Sequence, residues 1–334
     1  MRIFELTKKL IEIESITEHE KDVACFLCDY LSKLGYRASL QEAAPGRFNV
    51  VALAGRPDVA FTTHLDTVPP YLAYREDEDY IYGRGACDAK GIIAAQIEAA
   101  EALRGSGEDR VALLFLVGEE RNSDGAICAN RNPLGSRYYI DGEPTENKLA
   151  IGSKGSLRAE IIARGKAAHS AYPHMGESAI LKLLDVLAEI RAMELPYDSV
   201  MGQTTCNIGI LEGGTKPNIV PDHAKAEIMF RSVAPIEDLK RNLEALVAWR
   251  AEVRYPFEVP LTMMSVLDGF ETTVVSFASD VPFLSTWGKP FLVGPGSILD
   301  AHTEHERISK KQLLEGVEIY LRLARRLLNS PPAE

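Results

Sequence analysis

Val111-Ala112-Leu113-Leu114-Phe115-Leu116-Val117 is an unbroken apolar run of strand length, and it ends in Gly118-Glu119-Glu120. A strand that is apolar at every position must be covered on both faces, the condition found inside a largely parallel sheet flanked by helices. Two adjacent carboxylates at the end of such a strand are costly unless a cation neutralises them. This stretch therefore asks for an α/β architecture with a site at the carboxyl edge of its sheet, where open α/β sheets place their ligands.

Other stretches repeat the pattern. Val59-Ala60-Phe61-Thr62, preceded by a strand at Val50-Val51-Ala52-Leu53, runs into His64-Leu65-Asp66 and stops at Pro69. At a two-residue period His64 and Asp66 share a face. An imidazole there can bind a metal with a carboxylate behind it, or the pair can be a polar strand end entering a turn. Ser136-Arg137-Tyr138-Tyr139-Ile140 is another strand candidate and ends in Asp141-Gly142-Glu143-Pro144-Thr145. The glycine-rich segment from Tyr82 to Gly91 leads into an Ala-rich helix ending near Gly105. Asp88, just before that helix, is either its N-cap or a ligand. No Gly-Lys-Ser/Thr or Gly-x-Gly-x-x-Gly follows, which argues against a phosphate site. Pro290-Phe291-Leu292-Val293 reads as a strand before Gly294-Pro295-Gly296 and Ala301-His302-Thr303-Glu304-His305-Glu306.

Between these halves the texture changes. Strand and helix patterns from Leu157 to Phe257 follow a βαββαβ order, a ferredoxin-like α+β unit complete in itself. The expected organisation is an α/β domain over 1–153 and 258–334, with residues 154–257 inserted. Thr273 to Ala278 fits a helix or a short strand. Near the N-terminus, Thr17-Glu18-His19-Glu20 has the form of a capping box, and Gly35 suits a helix C-terminus. Cys25 and Cys28 form a Cys-x-x-Cys on that helix with no second pair to complete a zinc site, so they read as structural. Ser309 and Gln312 begin the last helix.

At 334 residues, 46% hydrophobic and 25% charged, the chain has room for two domains and a sizeable core. A net charge of −11 argues against nucleic acid or an anionic membrane as partner. No stretch has the roughly eighteen apolar residues of a membrane span, and the N-terminus lacks a signal peptide's apolar core. Five cysteines, an odd number, suggest reduced thiols and a cytoplasmic setting.

Five motifs in order, His64-x-Asp66, Gly85-x-x-Asp88-x-Lys90-Gly91, Glu119-Glu120, Gly142-Glu143-Pro144-Thr145 and Ala301-His302-Thr303, resemble the M20 metallopeptidase and deacylase family over essentially the whole chain. That family includes acetylornithine deacetylase, succinyl-diaminopimelate desuccinylase, aminoacylase and bacterial glutamate carboxypeptidase. The resemblance implies a mixed, mostly parallel α/β sheet of the zinc-exopeptidase kind with an inserted ferredoxin-like lid that dimerises. It implies two Zn²⁺ per chain, with Co²⁺ or Mn²⁺ as substitutes, bridged by Asp88. His64 and Glu143 would complete one ion, Glu120 and His302 the other. Asp66 would orient His64, and Glu119 would act as general base, then acid. In the lid, His169 would stabilise the oxyanion, while Asn218, Arg231 and the backbone at Gly294 and Gly296 would bind substrate. His305 matches no catalytic position but is nearest the expected metals.

The implied activity is hydrolysis of the amide of an N-acyl-L-amino acid. The segments Gly213-Gly214-Thr215-Lys216-Pro217-Asn218-Ile219-Val220-Pro221 and Gly294-Pro295-Gly296-Ser297-Ile298 look most like the acetylornithine deacetylase branch. The alternatives are a desuccinylase, or a dipeptidase or carboxypeptidase of the same family. The expected partners are a small N-acyl amino acid or dipeptide and a second copy of the chain.

Overall fold

A computed structural model of the chain describes residues 2–331. The chain clusters into two units, one of residues 1–151, 264–273 and 279–334, the other of residues 152–263 and 274–278. The first unit opens with helices α1 (Arg2–Glu12) and α2 (Lys21–Lys33) and strands β1 (Arg37–Ala44), β2 (Arg47–Leu53) and β3 (Val59–His64). Helix α3 (Gly91–Gly105), strand β4 (Val111–Leu116), helix α4 (Asp124–Asn130) and strand β5 (Tyr138–Asp141) follow. The second unit carries β6 (Gly155–Arg164), α5 (Ala179–Ala192), β7 (Thr205–Gly213), β8 (His223–Ser232), α6 (Ile236–Val247) and β9 (Glu252–Val259). The chain then returns to the first unit for β10 (Lys289–Leu292) and α7 (Lys310–Leu328).

The first unit is built on a six-stranded sheet in the order β1-β2-β4-β3-β5-β10. The pairs β3/β4, β3/β5 and β5/β10 are parallel, and β1/β2 and β2/β4 are antiparallel. Every residue of β3 and of β4 is buried, as their composition demands of strands covered on both faces. Phe61 of β3 packs against Tyr320 of α7, ring centroids 5.4 Å apart, and the Tyr320 hydroxyl donates to the Val293 carbonyl at 2.7 Å. The amide of Gln96 on α3 donates to the Thr62 carbonyl at 2.8 Å. Both flanking helices thus hold the strand that ends in His64. Among the described residues no helix is long and apolar enough to cross a membrane.

The second unit is a four-stranded antiparallel sheet, β7-β8-β6-β9, with α5 and α6 sharing its core. This is the ferredoxin-like order read from the sequence. Residues 274–278 also belong to this unit, and Thr272–Val275 is a strand, which decides a segment that the sequence left between helix and strand.

The N-terminal capping box does not form. Helix α2 begins at Lys21 with Glu20 at its N-cap and no side-chain cap bond. The Thr17 hydroxyl donates instead to Asp66 Oδ2 at 2.9 Å, and the buried Glu20 carboxylate pairs with Arg47 at 2.5 Å. A distant charged or carboxylate partner outweighs a local amide, because charge-assisted hydrogen bonds are the stronger ones. At the other end Ser309 does cap α7, accepting from the Gln312 amide at 3.4 Å.

Candidate functional site

Parallel strands β3, β4 and β5 deliver His64, the Gly118-Glu119-Glu120 turn and Gly142-Glu143 to one edge of the sheet. Thr63 Oγ1 donates to the Gly142 carbonyl and the Gly142 amide to the Thr62 carbonyl, both at 2.7 Å, locking the Glu143 turn to β3. Asp88 enters from the turn before α3. It is not that helix's cap: Lys90 occupies the N-cap, without a side-chain bond. The Lys90 ammonium is buried and donates to the Ile13 carbonyl at 2.7 Å, and burial pulls its pKa down to about 7.

Two triads result. His64, Asp88 and Glu143 offer ligand atoms that all lie within 4.8 Å of one another, and so do Asp88, Glu120 and His302. Asp88 belongs to both. Its Oδ1 is 2.9 Å from His64 Nε2 and its Oδ2 is 3.3 Å from His302 Nε2. His302 Nε2 also lies 2.9 Å from Glu120 Oε1. Glu119 is in neither triad.

Asp66 organises this edge. His64 Nδ1 is 2.9 Å from the Asp66 main-chain carbonyl and 3.6 Å from its carboxylate. A carbonyl can only accept, so Nδ1 carries a proton and Nε2 is the atom that would meet a metal. The carboxylate accepts from the amides of Gly118, Glu119 and Glu120 at 3.0, 3.1 and 3.3 Å, besides Thr17. One residue therefore sets the His64 ring through its backbone and the two glutamates through its side chain. The turn that receives them needs Gly118, at φ +81°, where a Cβ would meet Arg47 Nη2 at 2.8 Å.

Burial pushes the carboxyl groups of Glu119 and Glu143 well above their ordinary range, and neighbouring acids add to it. For Asp88 burial acts the same way, but hydrogen bonds from His302 and His64 outweigh it and hold it below the usual value. Burial also pulls His64 down, yet Asp66 and Asp88 keep it well above an ordinary imidazole. His302 is raised to about 10 by its hydrogen bonds to Asp88 and Glu120. So many acids in a low-dielectric edge call for positive charge between them. Imidazole with carboxylate is the donor set that suits zinc and related divalent ions, and the residues fit such a pair of ions.

Gly294 and Gly296 line the Glu143 turn from β10. The Thr145 amide donates to the Gly294 carbonyl at 3.2 Å and the Glu146 amide to the Gly296 carbonyl at 2.8 Å. Gly296 lies at φ +95°, and a Cβ there would sit 2.7 Å from that of Cys87, beside Asp88. His305 is exposed and belongs to neither triad.

In the second unit, the strands Ala168–His169 and Ile219–Val220 pair, and the Ser170 amide donates to the Asn218 carbonyl at 3.0 Å. His169 and Asn218 are thus close neighbours and exposed. Arg231 on β8 donates from Nη1 to Ser156 Oγ.

The sequence reading missed Arg84, Glu306 and Asp280. Arg84 and Glu306 form a buried pair at 2.6 Å. Asp280 and Asp141 are buried, and each has carboxylate oxygen without a hydrogen-bond partner among the described residues. Burial raises Asp280 to about 7. Glu306 stands four residues after His302 within a motif already quoted; Asp280 had no signal.

A mixed α/β sheet with two acid–imidazole triads sharing one aspartate, and a separate ferredoxin-like unit, defines a metallo-hydrolase with an inserted domain. Residues 151–257 match the family model of a peptidase dimerisation domain. The chain is 39% identical, over 96% of its length, to a peptidase M20 domain-containing protein of Schizosaccharomyces pombe, 84% of which is covered. It is 35% identical, over 97% of its length, to a probable carboxypeptidase of Uncinocarpus reesii, 86% of which is covered. Among solved structures, a tripeptidase from Staphylococcus aureus aligns over 97% of this chain and 98% of that one, with a TM-score of 0.83 at 24% identity. The chain belongs to the M20 peptidase family and is a metallopeptidase, a hydrolase acting on peptide bonds.

Proposed function

We propose that the chain is an exopeptidase of the carboxypeptidase or dipeptidase kind, releasing the C-terminal residue of a small peptide. The observation that carries the hydrolytic chemistry is the position of Glu119, held by its backbone on Asp66 beside both triads and a member of neither. Divalent ions, zinc with cobalt or manganese as substitutes, held by His64, Asp88 and Glu143 and by Asp88, Glu120 and His302, would polarise the scissile carbonyl and acidify water. Glu119 takes a proton from the attacking water on a carboxylate oxygen as the water oxygen bonds to the carbonyl carbon. When the C–N bond breaks, that proton passes from Glu119 to the leaving nitrogen, giving a carboxylate and a free amine. Asp66 keeps a proton on His64 Nδ1, so that Nε2 can bind a metal, and holds Glu119 in place throughout. His169, Asn218 and Arg231, with the backbone at Gly294 and Gly296, are proposed to contact substrate, Arg231 through the free α-carboxylate that its guanidinium fork suits.

The peptide-cleaving reading, which stood second on sequence grounds to an acetylornithine deacetylase, is favoured because relatives matching nearly the whole chain bear the name carboxypeptidase. The deacylase reading keeps one observation of its own, the likeness of 213–221 and 294–298 to that branch. A panel of dipeptides, tripeptides and N-acetyl or N-succinyl amino acids, assayed with zinc-reconstituted protein, separates them. Amino-acid release from peptides at higher kcat/KM supports the first reading, and faster acetate or succinate release overturns it. Arg231→Ala should weaken substrates with a free carboxylate by about 1.5–3 kcal/mol and amidated ones far less.

A homodimer through the second unit is part of the proposal. Edge strand β7, unpaired on its outer side among the described residues, exposes Ile210 and Leu211, and helix α5 exposes Leu181 and Leu184. Leu181→Arg with Leu211→Arg should convert a dimer to monomer in light scattering.

A further inference from the structure

Glu306 is fully buried yet belongs to neither triad. Its Oε2 accepts from Arg84 Nη1 at 2.6 Å, and its Oε1 accepts from the Asp88 amide at 3.3 Å. Arg84, 2% exposed, also donates to the carbonyls of Thr303 at 3.2 Å and Pro70 at 3.1 Å. The Gly83 amide completes the junction, donating to the Glu306 carbonyl at 3.1 Å. Two segments more than two hundred residues apart are thereby tied together: the turn that ends in Asp88 and the loop that begins at His302. These segments supply two of the three donors of one triad.

The His302 ring is half exposed, and its backbone sits at φ +62°. That conformation is unusual for a residue with a Cβ and persists where the surroundings hold it. No wall of packed side chains sets this imidazole as the core sets His64. Its place is decided by its backbone, and the backbone is anchored through Arg84 and Glu306.

We propose that the Arg84–Glu306 pair is a positioning device for the ion of the Asp88–Glu120–His302 triad, fixing the separation of the Asp88 carboxylate and the His302 imidazole. The inference rests on the reading of Asp88 as a shared donor. A pair that served stability alone would be replaceable by apolar residues of similar size at little cost. This one cannot be, because Glu306 also accepts the buried Asp88 amide.

Calorimetric titration of metal-stripped protein with zinc tests it, with thermal unfolding of the stripped proteins alongside. The set is wild type, Glu306→Asp, the double replacement Arg84→Met with Glu306→Leu, His302→Ala, and His302→Ala with Glu306→Asp. Wild type should bind two equivalents. Glu306→Asp and the double replacement should lose 10–100-fold on one equivalent, the usual effect of removing a partner of a metal ligand, and less than that on the other, which shares Asp88 but keeps His64 and Glu143. His302→Ala should lose the same equivalent, and adding Glu306→Asp should change the remaining one no more than Glu306→Asp alone does, since the main effect of both falls on one site. Two equivalents of wild-type affinity in Glu306→Asp, which keeps charge and fold, overturn the inference alone. Fewer than two in wild type overturn the shared-donor reading and this inference with it.

Discussion

The two triads share Asp88 and use the same donor chemistry, yet they are supported in opposite ways. His64 is 1% exposed, stands at the end of a strand buried on both faces, and has its ring proton fixed by the Asp66 carbonyl. The His302 side chain is 49% exposed, stands in a loop, and among the described residues its ring bonds only through Nε2, to Glu120 and Asp88. One ligand is held by its side chain within a packed core, the other by its backbone. Equal ligand sets therefore need not bind equally, because preorganisation comes from the support behind them.

The largest effect should come from a residue outside both triads. Glu119→Gln should lower kcat by roughly 10²–10⁴ while both metal equivalents remain bound, measured by turnover and metal analysis together. A large loss of metal would mean that Glu119 helps to hold an ion. Next comes the support shared between His64 and the glutamate turn. Asp66→Ala removes the acceptor of three amides and a hydroxyl, so metal affinity should fall about 10–100-fold and kcat should fall with it. Loss of affinity without loss of kcat at saturating metal would show that the carboxylate does not place Glu119.

Smaller effects probe the contrast directly. His64→Ala in stripped protein should cost about 1–3 kcal/mol of stability, since it leaves the buried Asp66 carbonyl and Asp88 Oδ1 without their partner. His302→Ala should cost less than His64→Ala, because the ring it removes is half exposed, although Glu120 and Asp88 Oδ2 also lose a partner. Denaturant unfolding of both variants measures this. Equal costs would mean that the two histidines are equally embedded and would remove the contrast.

Much of the candidate site was legible because its residues stand in short motifs whose order resembles that of a known family. His64, Asp88, Glu120, Glu143 and His302 each fall in a short motif at a strand end or turn, and the fold brings them within ligand distance. Thr17 and Glu20 show where local reading fails. Three residues apart, they have a capping box's form, but their partners are Asp66 and Arg47, 49 and 27 positions away. Arg84 and Glu306, separated by 222 positions, could not be paired by any window along the chain. Asp280 lies in a segment without periodicity, and only the packing shows that it is buried beside other acids.

What the sequence determined by itself is the α/β class, the βαββαβ insertion and the strand-end clusters, since apolar periodicity and turn chemistry are encoded within a few residues. What the tertiary structure decided is which atoms do the holding: the carbonyl of Asp66 on His64, its carboxylate on the glutamate turn, and Glu306 on Asp88. These contacts join residues far apart in the chain, and their geometry exists only once the core has packed and excluded the water that would otherwise satisfy the same groups.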